Sequence, residues 1–131
     1  MNKNLIFLIM KKAVLMTFFF FLFPVFAMPA EIAPQKVLFG DVQEDALIER
    51  EIIIFNNEPA AIELKKIRSS CDCLIIDFNT AVSIEPEKEL KVIIKLDPSK
   101  LGKGKFRKYL FLEMKNSKKS LYSIEVHGTI L

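Results

Sequence analysis

Cys71 and Cys73 are the two cysteines of a 131-residue chain, one residue apart and preceded by the hydroxyl pair Ser69 and Ser70. Three chemistries suit such a pair. Closed on each other, they form a disulfide around a single residue, and in extended backbone their Cα atoms lie about 6.6 Å apart, near the upper end of what a disulfide bridges. Held as thiols, they are a redox couple, although no Cys-x-x-Cys is present and the nearest base able to lower a thiol pKa is Arg68. As thiolates, they supply part of a soft-metal site for Cu(I) or Zn and require further donors, with Met114 and His127 as the candidates. All three readings stay open at this level.

The remainder of the chain offers little for catalysis. Any Ser-His-Asp or Cys-His arrangement must use the single histidine, His127, which sits between Val126 and Gly128 in an alternation that reads as strand. The four glycines are scattered and build no phosphate loop. Glu85, Glu87 and Glu89 alternate with Pro86 and Lys88 around a turn, which describes a solvated loop and not a carboxylate pair with separated pKa values. Lys100, Lys103, Lys105, Arg107 and Lys108, interleaved with Phe106, Tyr109 and Phe111, are the one local basic cluster. They serve either as a contact to an anionic surface or as an outward strand face that lysine keeps soluble. The sequence therefore predicts no catalytic residue, no cofactor and no metal set, and it leaves the Cys71 and Cys73 pair as the one candidate site.

The elements that must position these residues begin after residue 27. Lys3, Lys11 and Lys12 precede an apolar run over residues 13–26, the charged and apolar regions of a secretory signal. The run is about 14 residues, against the ~20 that cross hydrocarbon as a helix, so a removed signal is expected and not a permanent span. The Val25-Phe26-Ala27 pattern places the cut after Ala27, with Ala30 as the second candidate. An uncleaved anchor to the inner membrane is the alternative, and it must hold Lys11 and Lys12 at membrane depth. Removal of residues 1–27 takes seven of the twelve phenylalanines and three of the nineteen basic residues, which leaves sixteen basic against sixteen acidic. A neutral domain has no electrostatic reason to bind nucleic acid. The remaining length suits one domain and is too short for two.

From residue 31 onward apolar residues recur at spacing two and turn residues interrupt them, the pattern of an all-β sandwich. Residues 28–36 read as a short lead-in and residues 37–131 as the domain. Strands are predicted over residues 37–40, 47–55, 61–67, 74–78, 90–96, 106–114 and 121–131, the last two as a hairpin. In the fifth, Leu90, Val92, Ile94 and Leu96 share the buried face, while Lys91 and Lys95 with the exception Ile93 face outward. About seven strands in one short domain describe an immunoglobulin-like antiparallel sandwich.

In their order and spacing these segments resemble a bacterial family of exported immunoglobulin-like domains, the domain-of-unknown-function family numbered 1573. The resemblance rests on Phe39-Gly40-Asp41-Val42, the strand ending at Asn56-Asn57, Ser69-Ser70-Cys71-Asp72-Cys73-Leu74, Ile84-Glu85-Pro86, Leu96-Asp97-Pro98, Gly104-Lys105-Phe106 and Gly128-Thr129-Ile130. Asp72 stands where that family has Gly between the cysteines, which speaks against a tight turn there. Glu87 replaces the Gly after the turn proline, which speaks against a type II turn after Pro86. The resemblance implies the fold and an exported location, periplasmic or extracellular, and adds no reaction. The expected function is a non-catalytic binding or structural module of the cell envelope with a protein partner. A small thiol-redox or metal-handling protein built on Cys71 and Cys73 is the alternative.

Overall fold

The computed structural model describes residues 3–20 and 28–131. Helix α1 spans Lys3–Phe20 and carries the three lysines of the expected signal; residues 21–26 of the apolar run and the cut after Ala27 lie outside the described residues. No helix among the described residues is long and apolar enough to cross a membrane.

Nine strands form two packed sheets. β1 (Glu31–Ala33), β3 (Ile48–Phe55), β7 (Glu89–Leu96) and β5 (Leu74–Ile76) make a four-stranded sheet in the order β1-β3-β7-β5. β2 (Lys36–Val42), β9 (Leu121–Ile130), β8 (Gly104–Lys115), β4 (Ile62–Ser69) and β6 (Val82–Ile84) make a five-stranded one in the order β2-β9-β8-β4-β6. All the long predicted strands are present, the fifth at the expected phase, and the sandwich is the expected fold. Two three-residue strands, β1 and β6, fall in stretches read as lead-in and loop, so the count is nine rather than about seven. Three-residue strands are too short for a period-two pattern to register.

Alternation dictates which side chains pack. Val92, Ile94 and Leu96 on β7 face Ile52 and Ile54 on β3 and, across the sandwich, Leu110 and Leu112 on β8 with Ile124 and Val126 on β9; all are buried. Ile93, with 38% of its surface exposed, is the outward exception the sequence marked. Gly128 owes its type to its neighbour across the hairpin: a Cβ there would meet the Phe106 ring at 2.5 Å.

The chain changes sheets at its start, from β1 against β3 to β2, which runs parallel to β9 at the far end of the sequence. Ala33–Pro34, a cis peptide, lies between the two. Around this entry two buried polar residues organise the loops. Asn56, fully buried, donates through Nδ2 to the carbonyls of Ala60 (2.9 Å) and Ile84 (2.8 Å) and accepts the Glu58 N–H at Oδ1 (2.9 Å). Glu58 accepts from the Ala30 N–H (3.2 Å), the Lys118 N–H (2.8 Å) and the Ser117 hydroxyl, so one carboxylate ties the start of the domain to the β8–β9 hairpin. Burial pushes the Glu58 carboxyl up, but the three donors outweigh it and hold the group below its ordinary range. Tyr122, raised by burial, donates its hydroxyl to the Ala30 carbonyl at 2.8 Å.

The turn at Pro86 corrects the sequence reading. The Lys88 N–H reaches the Glu85 carbonyl at 3.1 Å, and Glu87 takes φ +63°, the left-handed conformation a type II turn requires at that position. Its N–H donates to the Asn56 carbonyl at 2.7 Å, and the Asn56 N–H returns to the Lys88 carbonyl at 3.0 Å. This double link holds a glutamate in glycine's conformation.

Candidate functional site

Cys71 and Cys73 lie where the chain crosses from β4 in one sheet to β5 in the other. They are joined as a disulfide. Their Cα atoms are 5.2 Å apart, closer than extended backbone allows, because the chain turns at Asp72. The expectation that Asp72 disfavours a tight turn is thereby corrected. Its side chain is 81% exposed and points to solvent, where Lys100 Nζ stands 3.7 Å away.

Side-chain and backbone bonds fix the corner from both sheets. The Ser69 hydroxyl donates to the Cys71 carbonyl (2.7 Å) and accepts the Cys71 N–H (3.2 Å). The Ser70 N–H donates to the Tyr109 carbonyl (2.9 Å), and the Tyr109 N–H returns to the Ser70 hydroxyl (2.8 Å). From the other sheet, the Asp97 N–H reaches the Cys73 carbonyl at 2.8 Å. Cys73 is fully buried and packs in the core, while Cys71 is half-buried against it.

The two extra donors weighed for a metal do not converge on this corner. Met114 is buried opposite Leu64, at the far end of β8 from the Ser69 and Leu110 register pair that precedes the cysteines. His127 lies on the outer face of the five-stranded sheet, its Nε2 2.7 Å from Glu125 Oε2. No group of three or more metal-ligating side chains is found among the described residues.

That outer face is the second candidate. β8 presents Arg107, Tyr109 and Phe111 there, register partners of His127, Glu125 and Ser123 on β9. The two rings stack, centroids 6.4 Å apart and planes 20° from parallel. Arg68, opposite Phe111 on β4, bonds Glu113 at 3.1 Å, and Lys65 stands 3.8 Å from the same carboxylate. The Arg68 hydrogen bond holds the Glu113 carboxyl below its ordinary value, and the His127 hydrogen bond does the same for Glu125, with Lys36 adding to it from β2.

The basic cluster seen in the sequence does not act as one face. Lys105 and Arg107 point outward, Lys108 shares the register row of buried Val126, and Lys100 sits over Asp72. Strand parity splits what sequence proximity had grouped.

The sheet edges are mostly blunted. β1, β5 and β6 are three residues each. β2 is longer, but Arg50 reaches over from β3: Nε donates to the Leu38 carbonyl (3.1 Å), a terminal nitrogen to the Phe39 carbonyl (3.5 Å), and the guanidinium lies 5.5 Å above the Phe39 ring. Such caps guard an edge against indiscriminate pairing. Sequence reasoning overlooked Arg50, although a charge at the buried phase of an Ile-rich strand was a visible signal.

The fold recurs widely at low identity. PapD-like domain 7 of human CEP192 superposes with TM-score 0.64 at 13% identity, covering 78% of this chain and 84% of that one. The periplasmic chaperone SfaE gives 0.60 at 10%, covering 77% and 57%. A family 123 glycoside hydrolase from Clostridium perfringens gives 0.64 at 10%, where 78% of this chain spans 27% of the enzyme. This chain thus corresponds to little more than half of the chaperone and about a quarter of the hydrolase, and the likeness establishes the sandwich alone. No curated protein matches the chain. Residues 30–130 match the family described as "Protein of unknown function (DUF1573)", so this chain belongs to the DUF1573 family.

Proposed function

We propose that the chain is exported under residues 1–27, which are then removed, and that the remaining sandwich is a non-catalytic module of the cell envelope that binds a protein partner. One observation carries this reading: the outward row of Arg107, Tyr109 and Phe111, flanked by Arg68 and His127 on the five-stranded sheet. Tyr, Phe and Arg are the side chains enriched where proteins meet. The perturbed groups have structural explanations. Hydrogen bonds lower the carboxyls of Glu58, Glu113 and Glu125, and burial raises the Tyr122 hydroxyl, so each of these shifts runs away from neutrality, where a poised acid or base titrates. The SfaE likeness is compatible with a binding role and specifies no partner.

Capture from envelope extract, with the parent and two double variants as bait, tests the reading. Tyr109→Ala with Phe111→Ala is expected to lose the captured partner, and Cys71→Ala with Cys73→Ala to keep it. The opposite pattern favours the thiol-redox or metal-handling alternative. Stoichiometric copper or zinc that disappears with the cysteines points to the metal form of it.

A further inference from the structure

β9 runs from Leu121 to Ile130, but β2 accompanies it only from Glu125, the partner of Lys36, onward. Residues 121–124 have β8 on one side and, among the described residues, no strand on the other. Which backbone groups face that open side follows from the bonds around β8. Tyr109 exchanges its N–H and C=O with Ser70 on the β4 side, and the Met114 N–H goes to the Ser120 carbonyl on the β9 side at 2.8 Å. Successive residues of a strand direct their backbone groups to opposite neighbours. Even-numbered residues of β8 therefore bond β9, and through the pairs Leu110 with Ile124 and Leu112 with Tyr122 the even-numbered residues of β9 bond back. Leu121 and Ser123 are left with N–H and C=O turned to the open side. Both residues are exposed.

A groove of about 890 Å³ reaches this edge at Ser123, and Met28, Ile32, Gln35 and Tyr109 also line it. Asn57 borders it too, and its Oδ1 is a buried acceptor without a hydrogen-bond partner among the described residues. Unlike the β2 edge under Arg50, this stretch of sheet edge has, among the described residues, no side chain hydrogen-bonded to its carbonyls.

We propose that this groove takes an extended segment of a protein partner, which joins the five-stranded sheet against Leu121 and Ser123 and continues the line of β2. The proposal rests on the reading of the chain as a protein-binding module and adds a main-chain contact at the sheet edge beside the outward row, with Tyr109 bordering both. An extended polypeptide supplies paired N–H and C=O groups at a two-residue repeat of about 6.8 Å, the spacing at which Leu121 and Ser123 present theirs. Main-chain bonds give such a segment its affinity, and alternate side chains its specificity. One set meets Met28 and Ile32 and is apolar; the other emerges beside Tyr109 and the Lys36–Glu125 pair, 3.8 Å apart, and is polar.

Short random peptides displayed on phage are selected on the purified chain, and the selected peptides are then titrated against variants. Ser123→Pro removes an N–H that faces the open side and leaves the β8 ladder whole; it is expected to weaken binding about tenfold or more, with Ser123→Ala unchanged. Independently of any variant, bound peptide should slow hydrogen exchange at the Leu121 and Ser123 amides. Peptides that bind Ser123→Pro as tightly as the parent overturn the proposal, as does failure to select any. Protection of those two amides in the peptide-free chain also overturns it, because the edge is then already paired. Capture from envelope extract that survives Ser123→Pro removes the groove while leaving the binding-module reading intact.

Discussion

Asn56→Ala is the substitution from which most is learned about what holds this sandwich together. The side chain is fully buried and has both amide hydrogens and its oxygen engaged, so truncation strands the Ile84 carbonyl, the Ala60 carbonyl and the Glu58 N–H at once. The Ile84 and Glu58 bonds are buried, and each unsatisfied group costs about 1–3 kcal/mol. Ala60 is exposed, and its carbonyl recovers water at a cost of about 0.5 kcal/mol. The expected loss is therefore about 2.5–6.5 kcal/mol, a large part of the ~5–15 kcal/mol that a domain has. In a domain of this size each kcal/mol lowers Tm by about 4–8 °C, so a fall of at least about 10 °C is expected. Asn56→Asp should be as damaging at neutral pH, because a carboxylate then faces the Ile84 and Ala60 carbonyls, and should recover in part in acid as the group gains a proton to donate. Urea melts and thermal scans of parent and variants are the assay. A loss below about 1 kcal/mol for Asn56→Ala, with the urea slope unchanged, would refute the hub.

Glu87→Gly should stabilise the domain by about 0.5–1 kcal/mol, since φ +63° is free for glycine and costly for glutamate; a destabilised variant in denaturant melts contradicts the turn geometry. Glu58 has a lowered folded-state pKa, so its contribution is complete above the unfolded value of about 4.3 and is lost as pH falls through the folded one. Glu58→Gln should accordingly be less stable at neutral pH and flatter in acid, and parallel stability–pH curves for parent and variant rule the linkage out. Ile94→Ala should cost about 2–5 kcal/mol as a buried truncation. Lys91→Ala on the same strand should cost about 0.5 kcal/mol or less, and equal losses at the two positions overturn the strand phase.

The long strands were legible because each buries one face against a common core, and period-two alternation is the direct imprint of that geometry. β7 shows it best, down to Ile93 as its outward exception. What escaped was set by neighbours distant in sequence. β1 exists because Ile32 and Ala30 fill space beside β3 and Glu58, and β6 because Ile84 lines up with Ile62. Nothing local announced that Glu58 bonds a hairpin some sixty residues away. Local rules misled at Asp72 and Glu87, where glycine is the usual choice and surrounding backbone bonds impose the turn regardless. Of the candidate site, the cysteines and the Tyr109–Phe111 stretch were visible as residue types. Their division between a buried inter-sheet corner and an outward face follows from strand parity and from the crossover after Ser69.

The parallel pairing of β2 with β9 joins the first long strand of the sandwich to the last. A nascent or translocating chain cannot complete it until the residues up to Ile130 have emerged, so the five-stranded sheet cannot be finished while β9 is still confined. Pairings between distant segments also form slowly. If the chain is exported as proposed, this topology is a safeguard: the polypeptide stays threadable until β9 has followed β2 across, and only then does the five-stranded sheet close.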